Sequence, residues 1–90
     1  MLVISANAIN RLPLVIAAVV VGTRGENVRR DYPTNVRVSI TDSGLQMETV
    51  FLCFHIRSLD HNRFPSSSAG TVSVQMIAEV DNAIRYCLGL

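Results

Sequence analysis

Four arginines and a tyrosine lie close together between residues 24 and 37, and their chemistry is that of anion contacts. They are Arg24, Arg29, Arg30, Tyr32 and Arg37. Planar guanidinium groups bind phosphates bidentately, aromatic rings stack on bases, and arginine is also enriched at protein interfaces. Glu26 and Asp31 interrupt the cluster and lower its charge. The pattern therefore predicts an interface or anion-binding loop, and a solvated or salt-bridged loop is the alternative.

Cys53 and His55 stand two residues apart in a segment predicted to be a strand, and Asp60 and His61 follow them. Thiolate, imidazole and carboxylate groups are ligands of zinc. The spacing matches no standard zinc site, and Cys53 lies between two apolar residues, which favours a buried thiol. We therefore predict no metal site, and we expect Cys53 and Cys87 to be free thiols of a reducing compartment.

No set of residues in the sequence has the pattern of a known catalytic motif. Asp60, His61 and the serines at 66–68 supply the residue types of a hydrolytic triad, but no Gly-x-Ser-x-Gly motif accompanies them. The segment 22–25 contains two glycines but lacks the Gly-Lys-Ser/Thr of a phosphate-binding loop. Lysine is absent, which excludes lysine Schiff-base chemistry. The sequence therefore predicts no catalytic residues, no cofactor and no enzymatic activity.

The composition indicates one small domain with more apolar side chains than its core can hide. The chain has 90 residues, of which 49% are hydrophobic and 17% are charged, and its net charge is +1. A surplus of apolar residues in a small domain leaves an exposed patch that marks a contact with a partner. All eight basic residues are arginine, which suits an interface, although a bias of the coding sequence towards arginine codons is the favoured explanation.

The segment 12–21 is the most hydrophobic run of the chain and is predicted to be a strand. Its valines and isoleucine are β-branched, Pro13 suits the first residue of a strand, and Gly22 is expected to end it. The run is half the length that a bilayer span needs, so neither a membrane helix nor a cleaved signal peptide is expected. Upstream of this run, either residues 5–12 form a short helical turn or Leu2, Val3 and Ile4 begin another strand.

A hairpin is predicted over residues 36–57, after a long polar loop at 23–35. Residues 36–41 alternate between apolar and polar, and Asp42, Ser43 and Gly44 provide a turn. In the second strand the apolar positions change parity, from 45 and 47 to the set 50, 52, 54 and 56. Either a β-bulge near residues 48–50 restores the register, or both faces of this strand are covered, the second one by another chain in an oligomer.

The amphipathic pattern near the end of the chain predicts a helix over about residues 72–88. Met76, Val80, Ala83 and Cys87 recur at helical spacing, and Gly89 is placed to end the helix. Residues 60–70, which are rich in serine, are predicted to be a loop. The predicted fold class is α+β, a small antiparallel sheet made of the hairpin and the N-terminal apolar strand, with the C-terminal helix on one face.

These observations favour a non-enzymatic structural or assembly subunit that acts through protein–protein contacts, as a homo-oligomer or as part of a larger particle such as a virion or phage. The alternative is a small nucleic-acid-binding or regulatory module that uses the Arg24–Arg37 loop. The expected partners are the chain itself or a larger protein complex, with nucleic acid not favoured and a membrane not expected. The expected location is intracellular or particle-associated.

Overall fold

The computed structural model describes residues 1–5, 17–59 and 69–90. Its elements in chain order are β1 (Leu2–Val3), β2 (Ala17–Arg24), a 3-10 turn (Gly25–Asn27), β3 (Asn35–Val38), α1 (Ile40–Ser43), β4 (Thr49–Leu59) and α2 (Val74–Leu88). In these ranges, four strands form one antiparallel sheet in the order β1-β2-β4-β3, and α2 packs against β3 and β4. The predicted α+β class, a small antiparallel sheet with a C-terminal helix, is confirmed in this general form.

Strand β2 continues past the glycine that was expected to end it. Gly22 pairs with Phe51 of β4, and the strand runs on to Arg24. A Cβ atom at position 22 would lie 3.1 Å from the Phe51 ring, so the missing side chain lets that ring lie against the strand. The first part of the predicted strand, residues 12–16, lies outside the described residues, and Leu2–Val3 forms a strand paired with β2.

The pairing of β3 with β4 confirms the predicted hairpin, but the connection between them differs from the expected tight turn. The strand predicted over residues 36–41 ends at Val38, because the Ser39 hydroxyl accepts a hydrogen bond from the Asp42 N–H and caps the single helical turn α1. Gly44 follows with φ of 71°, the left-handed conformation that ends a helix. Residues 45–48, predicted to begin the second strand, precede β4.

The register of β4 also differs from the prediction. The irregularity lies between Val20 and Val21 of β2, whose partners are Ile56 and Leu52, and not near residues 48–50. Phe54 lies within this step and Ile56 at its edge, and both are exposed, although the apolar pattern predicts them on the inner face. The register of β4 with β2 determines which side chains of β4 face the core, and this cannot be predicted from the sequence of β4 alone.

The core lies between one face of the sheet and α2. Val80 and Ala83 of α2 belong to one buried cluster with Val20, Val36, Val38, Phe51 and Cys53, and Met76 and Cys87 pack against it. Ser73 caps the helix by accepting from the Met76 N–H, and Gly89 follows its last residue. The predicted helical stripe is therefore confirmed. Because Val19 and Val50 are also almost fully buried, the other face of the sheet is covered there without a second chain.

Candidate active site

The end of β2 and the start of β4 bring a cation and a hydroxyl together. Arg24 is the antiparallel partner of Thr49, so their side chains leave the same face of the sheet at adjacent positions. An open cleft of about 480 Å³ lies at this end of the sheet. It is lined by Met1, Gly22, Thr23, Arg24, Asn27, Leu45, Thr49, Phe51 and Ala69.

Two threonines line this cleft, and hydrogen bonds within the protein orient their hydroxyl groups. The Asn27 side-chain amide donates to Thr23 Oγ1 at 3.0 Å, and Thr49 Oγ1 donates to the Met47 carbonyl oxygen at 3.2 Å. Each hydroxyl oxygen still has capacity to accept, because a hydroxyl has two lone pairs. The cleft is therefore lined by oriented hydroxyl residues and by the apolar residues Leu45 and Phe51, of which Phe51 is almost fully buried.

Arg24 is the arginine that lines this cleft, and it also lines a second cleft. Its guanidinium lies 3.6 Å from the Glu26 carboxylate, and both side chains are largely exposed. An ion pair of this kind contributes little and opens readily. The second cleft, about 570 Å³, is lined by Arg24, Gly25, Glu26, Met47 and Glu48. Arg24 thus stands between two clefts and is free to contact an anion.

Three of the residues that the sequence singled out lie in the exposed segment before β3. Arg29, Arg30 and Tyr32 have exposed side chains. In the described part of the chain neither Arg29 nor Arg30 forms an ion pair. Their assignment to an interface or anion-binding site stays a prediction, and their exposure leaves them accessible to a ligand.

Arg37, the fifth of these residues, is half-buried and fully engaged with its own chain. It forms ion pairs with Glu48 at 2.7 Å and Asp31 at 3.1 Å. It also donates to the carbonyl oxygens of Gly25 at 3.0 Å and Val28 at 2.6 Å. Hydrogen bonds to Glu48 and then Asp31 raise the pKa of the guanidinium above its ordinary value. Its geometry is therefore that of a residue that holds a loop.

The cysteine and histidine residues do not form a site in the described ranges. Cys53 is buried in the core, and burial, followed by the proximity of Cys87, raises the pKa of its thiol to about 11. His55 is exposed and has an edge contact with the Phe54 ring. No group of three His, Cys, Asp or Glu residues among the described positions could hold a metal ion. Asp60 and His61 lie outside the described residues.

Comparison with known proteins identifies the family to which this chain belongs. Residues 1–88 match the family of PemK-like, MazF-like toxins of type II toxin–antitoxin systems, and the chain belongs to this family. No curated protein matches the chain by sequence. Among solved structures it is similar to an endoribonuclease in complex with its cognate antitoxin from a mycobacterial species. The TM-score is 0.80 at 24% identity, and the match covers 98% of this chain and 78% of that one.

Family membership corrects the functional prediction. The expectation of a non-enzymatic structural or virion subunit is wrong, because the toxins of this family are endoribonucleases. The prediction of a protein partner is confirmed only in general terms, because the members of this family are toxins of toxin–antitoxin systems. Within the described ranges no helix has the length and apolar character needed to cross a membrane.

Sequence reasoning missed the threonines of the cleft for a physical reason. Thr23 and Thr49 are single hydroxyl residues at strand ends, a position that threonine commonly occupies in sheets. The available signal was that Thr23 and Arg24 follow the apolar run after only Gly22, where a buried strand reaches the surface. Nothing in the sequence placed Thr49 beside them, since that depends on the pairing of β2 with β4.

Proposed function

We propose that this protein is the toxin of a type II toxin–antitoxin system and that it cleaves RNA at the cleft between Arg24 and Thr49. The observation that carries the proposal is the match of residues 1–88 to the toxin family. The endoribonuclease to which the chain is structurally similar supports the choice of RNA as substrate. The cleft supports the choice of place, because a phosphodiester needs a cation and hydroxyl groups within one concave site.

Arg24 is the residue that stabilises the charge of the reacting phosphate in this proposal. When a phosphodiester is cleaved, negative charge increases on the non-bridging oxygens, and a guanidinium donates to two of them at once. Of the arginines in the sequence cluster, Arg24 lines the cleft, whereas Arg37 is occupied by two carboxylates and two carbonyl groups. Glu26 would release Arg24 when a phosphate binds, because their exposed pair is weak.

The Thr49 hydroxyl positions the sugar next to that phosphate. Thr49 Oγ1 is held by its bond to the Met47 carbonyl and faces the same side of the sheet as Arg24. A hydroxyl oxygen held in this way accepts from a ribose hydroxyl, which is the group that distinguishes RNA from DNA. The half-buried side chain of Leu45 provides an apolar contact for a base.

The exposed segment with Arg29, Arg30 and Tyr32 extends the binding surface beyond the cleft. Arginine side chains contact successive phosphates, and a tyrosine ring stacks on a base without selecting its identity. A single strand held in this way enters the cleft with a defined direction. The physiological partner in this proposal is an antitoxin protein, and the site of action is inside the cell, where RNA is the substrate.

Incubation of the purified chain with a fluorescently labelled single-stranded RNA tests the proposal. We expect discrete internal cleavage products from the RNA and none from DNA of the same sequence. Cleavage of both nucleic acids at equal rates would contradict the role assigned to the ribose hydroxyl. Intact RNA at micromolar protein would contradict the proposed activity itself.

A further inference from the structure

Arg37 is the only described arginine with four hydrogen bonds to its own chain, and all four acceptors lie in or beside one short segment. Its contacts are with Gly25 O, Val28 O, Asp31 Oδ1 and Glu48 Oε1. We propose that Arg37 is a positioning residue that fixes the segment 25–31 and thereby orients Arg24 in the cleft. This inference rests on the proposed function and assigns it a residue that does not touch the substrate.

The four contacts connect the segment to both neighbouring strands. Arg37 belongs to β3, Glu48 directly precedes β4, and Gly25 follows Arg24, the last residue of β2. The Gly25 N–H also donates to the Glu48 carbonyl oxygen at 2.9 Å. Glu48 thus holds Gly25 through its main chain and Arg37 through its carboxylate. The residue that follows Arg24 is therefore fixed from two sides.

Gly25 shows how closely the groups pack around this point. A Cβ atom at position 25 would collide with Glu48 Oε1 and would lie 2.9 Å from Arg37 Nη1. A side chain at position 25 would push the ends of the Glu48 and Arg37 side chains aside, and glycine lets their ion pair form directly against the main chain. The segment is thus held by a fitted contact, which is what a positioning role requires.

Lysine cannot replace arginine in this arrangement. Arg37 uses Nε, Nη1 and Nη2 to reach acceptors at different positions in the plane of its guanidinium. The three donors of a lysine ammonium all belong to one nitrogen atom. Lysine would therefore keep the positive charge but could not reach the separate acceptors that the planar guanidinium reaches. Arg37→Lys therefore removes most of the positioning while it leaves a cation near Asp31 and Glu48.

Limited trypsin digestion tests the positioning without reference to RNA. The segment contains Arg29 and Arg30, which are cleavage sites, and proteolysis reports the population of its open form. We expect cleavage after residues 29 or 30 to be at least about tenfold faster in Arg37→Lys. Asp31→Asn, which removes one of the two carboxylate partners, should give an intermediate rate. Arg85→Lys, which alters the 3.2 Å pair with Asp81 on α2, should leave this cleavage unchanged.

Cleavage kinetics test whether the positioning acts through Arg24. We expect Arg37→Lys to lower kcat for RNA about 10- to 100-fold with little change in KM, because misplacement of a charge-stabilising group affects the transition state. In an Arg24→Ala background, Arg37→Lys should lower kcat by no more than about twofold, because the guanidinium that Arg37 positions is already absent.

Equal trypsin rates in the wild type and Arg37→Lys would overturn the proposal. The proposal would also be overturned if Arg37→Lys were digested faster by trypsin but kept the kcat of the wild type. The same holds if the effects of Arg37→Lys and Arg24→Ala on kcat were fully additive. Absence of RNA cleavage by the wild type would instead overturn the proposed function, and the trypsin rates would still decide whether Arg37 holds the segment.

Discussion

Arg24, the last residue of β2, is the direct antiparallel partner of Thr49, the first residue of β4. The pairing places a guanidinium next to a hydroxyl where the sheet opens into a cleft, and the hydroxyl is oriented by the Met47 carbonyl. The catalytic account depends on this pair, because it combines a cation for the phosphate with a hydroxyl for the sugar. The predictions below test its parts separately.

Removal of the Thr49 hydroxyl should reduce catalysis without loss of the fold. Thr49→Val keeps the shape and the β-branched side chain, and we expect kcat for RNA to fall about 100-fold, as for other groups that contact the transition state. The matched control is Thr41→Val on the exposed turn α1, which should retain full activity. Single-turnover cleavage measures both variants, and an unchanged rate for Thr49→Val would remove Thr49 from the site.

The exposed arginines should account for part of the salt dependence of RNA binding. Each phosphate contact on a single strand contributes about 0.7 to the slope of log affinity against log salt. We expect the Arg29→Ala, Arg30→Ala double variant to lower that slope by about 1.4. Titrations in an Arg24→Ala background, in which we expect RNA cleavage to be at least about 100-fold slower, measure this slope. A slope that does not change, or an equal change in Arg85→Ala, would exclude these residues from the binding surface.

The buried Cys53 thiol should make the folded state sensitive to alkaline pH. Burial raises the pKa of this thiol from 9.0 to about 11, so between these values the folded state keeps a proton that the unfolded state has lost. The contribution is complete below pH 9 and is lost as the pH rises towards 11, up to about 2 to 3 kcal/mol.

Denaturant unfolding of the wild type and Cys53→Ala measures the Cys53 contribution. We expect the free energy of unfolding of the wild type to fall more steeply between pH 9 and pH 11 than that of the variant. Parallel curves for the two proteins would show that Cys53 ionises as readily in the folded state as in the unfolded one.

Two valines of α2 offer a direct test of how the helix docks. Val80 is 2% exposed and belongs to the core cluster, whereas Val74 is 83% exposed. Val80→Ala should lower the free energy of unfolding by about 2 kcal/mol, and Val74→Ala by no more than about 0.5 kcal/mol. Urea denaturation distinguishes them, and equal losses would mean that a different face of α2 meets the sheet.

The parts of the fold that could be predicted from the sequence are those determined by local patterns. The helix α2 has a periodic apolar stripe and a glycine after its end, and both were recognised. The pairing of β3 with β4 follows from alternation in β3. The inner face of β4 could not be predicted, because it is fixed by the irregular register between Val20 and Val21 and their partners.

The candidate site was predicted only in part, for the same reason. Arg24 was singled out because arginines cluster between residues 24 and 37, but the sequence did not separate its role from that of Arg37. The difference lies in their surroundings: two carboxylates enclose Arg37, whereas Arg24 has one weak partner. Catalysis was not predicted because the residue types of the cleft are common on protein surfaces and have no fixed spacing.

RNA cleavage by the Arg24→Ala variant tests the central claim most directly. Arg85→Ala is the matched control, because Arg85 is also an exposed arginine with a single carboxylate partner, and it lies on α2. We expect Arg24→Ala to lower the single-turnover rate at least about 100-fold at an unchanged melting temperature, while Arg85→Ala cleaves like the wild type. Equal rates for the wild type and Arg24→Ala would contradict the account, because cleavage would then take place away from the cleft between β2 and β4.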